Sequence, residues 1–332
     1  MTAARADLLT DVAGVKVGHA GDAKLGSGVT AIVFDQPAVA SIDVRGGGPG
    51  TRETDMLDPA MTVAAIDAIA LSGGSAFGLD AGSGVQAWLR EQGRGYAVRT
   101  ARVPIVPGAI LFDLLNGGDK DWGRYPPYRE LGYTAAATAG ETFALGSVGA
   151  GLGATTVNFK GGIGSASTVV GDITVAALAA ANAAGSVVVG DGPHFWAAPY
   201  EVGSEFGGRG SPTTVPSEAL TPRTKGSVMT STTLAVVATD AQLTKAQCRR
   251  LAVMAQDGVA RAIFPVHTPL DGDVVFAAAT GARPLDDPIF GLTQLGAAAA
   301  VVLARAIARG VYEAQALPTG GPPGWKDRFG AR

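Results

Sequence analysis

The amino-acid sequence predicts an α/β fold in which helices lie closely on sheets, and three observations carry that prediction. Apolar residues fill 47% of the 332 positions but aromatics only 6%, and 48 positions are glycine, so the layers must meet through small side chains. Short β-branched runs alternate with segments whose apolar residues recur at helical spacing. The plainest example is Thr232 to Ala279, which reads strand, helix, strand. A chain of this length makes two average domains or one large α/β domain, and either buries a substantial core.

Charged residues are 17% of the chain and leave a formal charge of -3, with a pI near 5.6. Phosphate binding needs clustered Lys and Arg, so the composition argues against a nucleic-acid partner. Cys248 is the single cysteine and falls in a predicted helix, which makes it a small core residue without a disulfide partner in the chain. The start, Met1 to Leu9, lacks the apolar region of a secretory signal. The apolar run Leu295 to Ala304 stops at Arg305, too short to span a bilayer. A soluble cytoplasmic protein with no membrane partner is the expectation.

Taken in order, Val29 to Phe34 and Ala38 to Val44 read as two strands of a hairpin separated by Asp35-Gln36-Pro37. Arg45 to Thr54 is glycine-rich, which points to tight turns or close backbone approach more than to a phosphate cradle. An apolar strand through Ala68-Ile69-Ala70-Leu71 leads by way of Ser72 to Leu79 into a helix reaching Leu89. Gly149-Ala150-Gly151-Leu152-Gly153-Ala154 satisfies a relaxed dinucleotide fingerprint, but Thr155 to Phe159 is a poor helix start and excludes the Rossmann reading. Ile173 to Leu178 and Ser186 to Val189 read as strands, with Asn182 at the turn between them. Residues 200–226 are rich in Gly, Pro, Ser, Thr and charge, the pattern of an exposed or flexible linker. The cluster Thr230-Ser231-Thr232-Thr233 then opens a strand to Asp240, and Thr244-Lys245-Ala246-Gln247 is a capping box for a helix to about Phe264. A loop, Pro265 to Asp273, precedes a strand from Val274 to Ala279, and a last helix runs from about Leu292 to Ala314.

The hydroxyl cluster is the chemical focus. A hydroxyl nucleophile needs a base, and a threonine that becomes an amino terminus carries one on its own nitrogen. Consecutive elements usually lie side by side, so the start of the Thr232 strand is expected near the start of the strand after Asp271 and Asp273. If extended, these two carboxylates share one face; Gly272 permits a turn instead. Taken alone, a Thr-rich strand start is a β-propensity feature and Asp-Gly-Asp is a turn without the remaining ligands of a calcium loop. His19, His194 and His267 form no metal-binding motif, and Ser75 stands in no nucleophile elbow.

Val103 to Pro107, Leu71 to Leu79, Phe159-Lys160-Gly161-Gly162-Ile163-Gly164-Ser165-Ala166-Ser167 and Thr232 to Phe276 together resemble the L-aminopeptidase D-amidase/D-esterase family of self-cleaving hydrolases, which includes the β-aminopeptidases and the endo-type 6-aminohexanoate-oligomer hydrolases. The likeness extends from about Asp11 to Ala314. It implies a single four-layer αββα sandwich, layered as in N-terminal nucleophile hydrolases but with its own connectivity. It also implies cleavage into fragments 1–231 and 232–332 that stay folded together, and a tetramer of cleaved protomers.

By the same resemblance Thr232 is the nucleophile, with Ser231 and Thr233 as the alternative hydroxyls. Asp271 and Asp273 match the acidic pair of the nylon-oligomer hydrolases. Asn182 matches an oxyanion-binding asparagine, a neutral donor aimed at developing charge, and Lys160 matches an active-site lysine. One departure stands out: Ser231 occupies the position before the nucleophile where threonine-type members usually carry asparagine, which bears on the efficiency of self-cleavage. No cofactor or metal is implied. The expected activity is hydrolysis of short linear amides through an acyl-enzyme on Thr232; acyl transfer by the same threonine and an uncleaved, non-enzymatic binding protein are the alternatives.

Overall fold

The computed structural model describes residues 6–225, 231–318 and 320–330, so Thr230, the first hydroxyl of the cluster, and Gly226, the end of the linker, lie outside it. In chain order the described elements are β1 (Val15–Asp22), β2 (Ser27–Val44), β3 (Gly50–Arg52), β4 (Ile66–Ser72), α1 (Ala81–Glu91), β5 (Tyr96–Val98), β6 (Ala101–Val103), β7 (Gly108–Ile110) and α2 (Tyr128–Ala137). They continue with β8 (Ile163–Val170), β9 (Ile173–Asn182), β10 (Thr232–Ala241), α3 (Lys245–Ala262), β11 (Val274–Arg283), α4 (Phe290–Tyr312) and α5 (Trp325–Phe329). Strands β5 and β6 form a hairpin of their own; the others run in the order β3-β7-β4-β2-β11-β10-β9-β8, with β1 added on β2.

Strand β2 belongs to two layers. Its first half pairs with β4 through Val29 to Val33, and its second half pairs with β11 through Val39 to Val44. The period-2 alternation of side chains then builds three cores. Leu234, Val236 and Ala238 of β10 and Leu178 and Ala180 of β9 meet Ile32, Ile69 and Leu71 between the two sheet layers. Their neighbours Ala235, Val237, Ala177 and Ala179 face Leu251, Val259, Leu303 and Ile307 of α3 and α4. On the outer side, Ala31, Val33, Ala68 and Ala70 face Val85, Leu89 and Tyr128 of α1 and α2. Helices, sheet, sheet, helices: the chain is the four-layer αββα sandwich.

Two local expectations are corrected. The hairpin predicted at Asp35-Gln36-Pro37 is a bend within β2, where the pairing register shifts between Val33 and Ala38. The ladder is interrupted there, so the proline withholds no needed N–H. The alanine run after Leu178 is no turn either: β9 continues to Asn182, because alanines fit a strand squeezed between a helix layer and a second sheet. Ser186 to Val189 contributes only isolated bridges, to Phe264 and Phe195.

Helix α3 starts where the capping box places it: the Gln247 N–H donates to Thr244 Oγ1 (3.2 Å) and the Thr244 N–H to Gln247 Oε1 (2.8 Å). Cys248 on this helix is buried, which pushes its thiol up to about 12. Helix α4, Phe290–Tyr312, lies within two residues at each end of the Leu292 to Ala314 expected for it. Arg305 inside it is buried and paired with Asp7 at 2.8 Å and Glu205 at 2.6 Å. Glu205 belongs to the 201–225 segment, which is largely exposed but also buries Phe206 against Phe195, ring centroids 5.3 Å apart.

Candidate active site

Thr232 is the first residue of β10 and lies opposite Asn182, the last residue of β9. On its other side β10 runs parallel to β11, so residues 271–273 come alongside 231–233. Ser231 bridges Asp271, and the Gly272 N–H donates to the Ser231 carbonyl at 2.9 Å. The same carbonyl accepts the Thr232 hydroxyl at 2.5 Å. Thr232, Asn182, Asp271 and Asp273 are thus gathered at one end of the sandwich, all of them buried. Strand alternation turns Thr233 to the opposite face, where its Oγ1 is buried with no hydrogen-bond partner among the described residues.

Each carboxylate is locked by donors. Asp271 accepts from the Ala184 N–H (3.0 Å), the Thr268 N–H (3.1 Å) and the Thr268 hydroxyl (2.6 Å). Asp273 accepts from the Thr233 N–H (2.7 Å) and the His267 N–H (3.3 Å), and its other contact is His267 Nδ1 at 2.9 Å. Burial, then the neighbouring Asp273 charge, raises the Asp271 carboxyl above its ordinary range, while the bonds from Thr268 and Ala184 oppose the shift. The glycine-rich loop wraps this turn: Gly48 N–H donates to Asp271 O (2.8 Å) and Arg45 N–H to Asp273 O (3.0 Å). A Cβ on Gly46 would stand 2.2 Å from the Asp273 nitrogen, so the glycine there serves close backbone approach.

Asn182 faces the other flank. Its Oδ1 accepts from the Thr155 N–H and from Lys225 Nζ, both at 3.0 Å, and its Nδ2 donates to the Phe112 carbonyl at 3.1 Å. Lys160 is fully buried, and its ammonium donates to the carbonyls of Gly151 (3.0 Å), Ala154 (2.7 Å) and Gly161 (2.7 Å). The Gly149–Gly151 stretch that mimics a dinucleotide fingerprint is a 3₁₀ turn supplying one of those carbonyls. Burial pulls Lys160 down to about 7, against the attraction of Asp113. Burial likewise pulls the partly buried Lys225 down to about 7, against Asp271 and Asp273.

Both lysines line a cavity of about 450 Å³ with Asp113, Asn116 and Thr155, and with Phe112, Leu115, Leu317 and Pro322 as its apolar part. Asp113 is held by the Ser27 hydroxyl (2.6 Å) and the Gly74 N–H (2.8 Å); burial raises its carboxyl. Sequence reasoning missed Lys225, Asp113, His267 and Thr268 as members of this neighbourhood. A lone lysine at the end of a polar connector reads as a solvated charge, and only the fold brings it to Asn182.

The αββα sandwich is the fold of a class of amidohydrolases and aminopeptidases, the N-terminal nucleophile fold. The chain belongs to peptidase family S58, whose profile matches residues 7–321. An uncharacterized aminopeptidase of Mycobacterium tuberculosis is 45% identical over 343 aligned positions, covering 97% of each chain. A 6-aminohexanoate-oligomer endohydrolase of Kocuria sp. is 28% identical over 83% of this chain and 76% of its own. Among solved structures, the L-aminopeptidase D-Ala-esterase/amidase of Ochrobactrum anthropi superposes with a TM-score of 0.71 at 20% identity, covering 98% of this chain and 94% of that one. A Burkholderia sp. β-aminopeptidase gives 0.69 at 23% identity, covering 99% and 95%. These two likenesses bear on the fold.

Proposed function

We propose that the chain is a self-cleaving amide hydrolase with Thr232 as its nucleophile, acting on short linear amides. The observation that carries the reading is the scissile geometry: the Thr232 hydroxyl and the Gly272 N–H converge on the Ser231 carbonyl, at 2.5 and 2.9 Å. In self-cleavage Thr232 Oγ attacks the Ser231 carbonyl carbon, the C–N bond breaks, and the hydroxyl proton passes to the departing nitrogen. Water then hydrolyses the ester, leaving a Ser231 carboxylate, a free Thr232 amine and the restored hydroxyl. The Gly272 N–H meets the oxygen on which negative charge develops, the requirement for an oxyanion donor. Ser231 uses only its backbone in these contacts, which supports cutting without an asparagine side chain.

In the cleaved enzyme the Thr232 amine acts as base, since an α-amino group titrates at about 7.7–8.0 and is partly neutral at physiological pH. Asp273 holds the backbone beside it through Thr233, Asp271 holds the neighbouring turn, and Asn182 assists the oxyanion. Lys160 shapes the cavity floor through its three carbonyl bonds. A cavity with an apolar side and a buried polar end suits a short aliphatic amide: an amino-terminal peptide, a β-amino acid amide or a 6-aminohexanoate oligomer. A homotetramer of cleaved protomers in the cytoplasm completes the reading.

Intact mass of the purified protein beside Thr232→Ala tests it. Two fragments meeting at Ser231/Thr232, absent from the variant, are expected. A cut elsewhere, or one that survives the substitution, sinks the reading. Product analysis with and without an acceptor amine separates hydrolysis from acyl transfer.

A further inference from the structure

The segment that leads to the cleavage point carries a group that the site uses. Lys225 lies six residues before Ser231 in the sequence, yet its Nζ reaches across to β9. It donates to the Thr155 carbonyl (2.9 Å), the Asn182 carbonyl (3.2 Å) and Asn182 Oδ1 (3.0 Å), with the Thr155 hydroxyl at 3.4 Å. Three oxygens around one nitrogen match the three N–H groups of an ammonium.

The consequence concerns Asn182. A carboxamide has two ends of nearly equal shape, and only its partners decide which way each faces. Here Oδ1 is claimed by two donors, Thr155 N–H and Lys225. That leaves the amino end donating to the Phe112 carbonyl; Phe112, Thr155 and Lys225 line the neighbouring cavity together. Without Lys225, Oδ1 keeps the Thr155 N–H as its donor among the described residues, and the flipped orientation, which would present an acceptor to a developing oxyanion, loses much of its penalty.

We propose that Lys225 is a positioning residue for the amide-hydrolysis reaction: its ammonium fixes the carboxamide of Asn182 with the donor end toward the reacting carbonyl. The inference rests on the proposed role of Asn182. It gives the last described stretch of the first fragment a part in the mature site, through the bonds from Lys225 to Thr155 and Asn182. Burial that draws Lys225 down to about 7 is opposed by Asp271 and Asp273, and Lys160 faces it across the cavity. Burial brings the amine near the point where its third N–H is lost, and the Asp271 and Asp273 charges hold that N–H on, so the positioning is sensitive to a change in either carboxylate.

The test compares Lys225→Met, of similar length but without a donor, with Lys225→Gln, which keeps a neutral one. With a short aminoacyl amide as substrate, Lys225→Met is expected to lower kcat at least tenfold with KM within threefold, and Lys225→Gln to recover part of the loss; removal of a single oxyanion donor sets an upper scale of about 10²–10³. In an Asn182→Ala background the Lys225→Met effect on kcat should vanish. An unchanged kcat, or a loss that persists in full in that background, overturns the proposal. If the unsubstituted protein neither cleaves itself nor hydrolyses amides, the functional reading fails. The unfolding midpoints of the two single variants and the double variant then decide on Lys225, with additive shifts overturning the contact and non-additive ones upholding it.

Discussion

At the scale of single residues, one constraint on the site is set by an atom that is missing. Gly272 offers its N–H to the Ser231 carbonyl, and a Cβ there would stand 2.6 Å from the Gly48 carbonyl oxygen and 2.6 Å from Thr232 Oγ1. The first clash is with backbone, so the turn must move, and the second displaces the hydroxyl from its partner. Gly272→Ala is therefore expected to fold but to accumulate as an uncut chain, which intact mass over a time course will show; normal processing would remove Gly272 from the mechanism. The sequence made the Asp-Gly-Asp triplet visible as a candidate. It did not reveal that the glycine matters as much as the acids flanking it, because that depends on a third strand of backbone, the Arg45 to Gly50 loop, arriving from far along the chain.

At the scale of elements, local chemistry was legible wherever a segment's own pattern decides its state. The box at Thr244 and Gln247 fixes the start of α3 by two reciprocal bonds, and neither group touches the site. Thr244→Ala should cost about 1 kcal/mol, measurable by denaturant titration, without altering cleavage; a change in cleavage would mean that α3 moves the site. Where two elements share one decision, the sequence was less informative. Asp35-Gln36-Pro37 has the composition of a turn, but β4 and β11 hold β2 on either side of it and carry the strand through. The alanines and glycine around Asn182 suggest a turn, whereas its position at the end of β9 directly opposite Thr232 follows from sheet pairing. Lys225 was legible only as charge. The hydroxyl cluster and the acidic pair could be found in sequence because each lies within one continuous segment.

At the scale of the whole molecule, the four layers leave cationic groups where water is scarce, and this gives stability a pH dependence. The folded state depresses Lys160 from 10.5 to about 7, so between those values the unfolded chain binds more protons than the folded one. Stability from this group then rises as pH climbs from about 7 toward 10 and is penalised below 7. The difference in unfolding free energy between the unsubstituted protein and Lys160→Met should increase over that interval, read by denaturation at a series of pH values; a flat or falling difference would mean that the three carbonyls hold the lysine charged throughout. The order of strands has a second consequence. In the inner layer β10 and β11 lie between β9 on one side and β2 on the other, so the part of the chain after Thr232 is interleaved with the part before it. A break in the backbone at that point creates no seam. The two pieces share ladders on both flanks, and parting them means stripping β10 from β9 and β11 from β2, so separation of the fragments and loss of the fold are the same event.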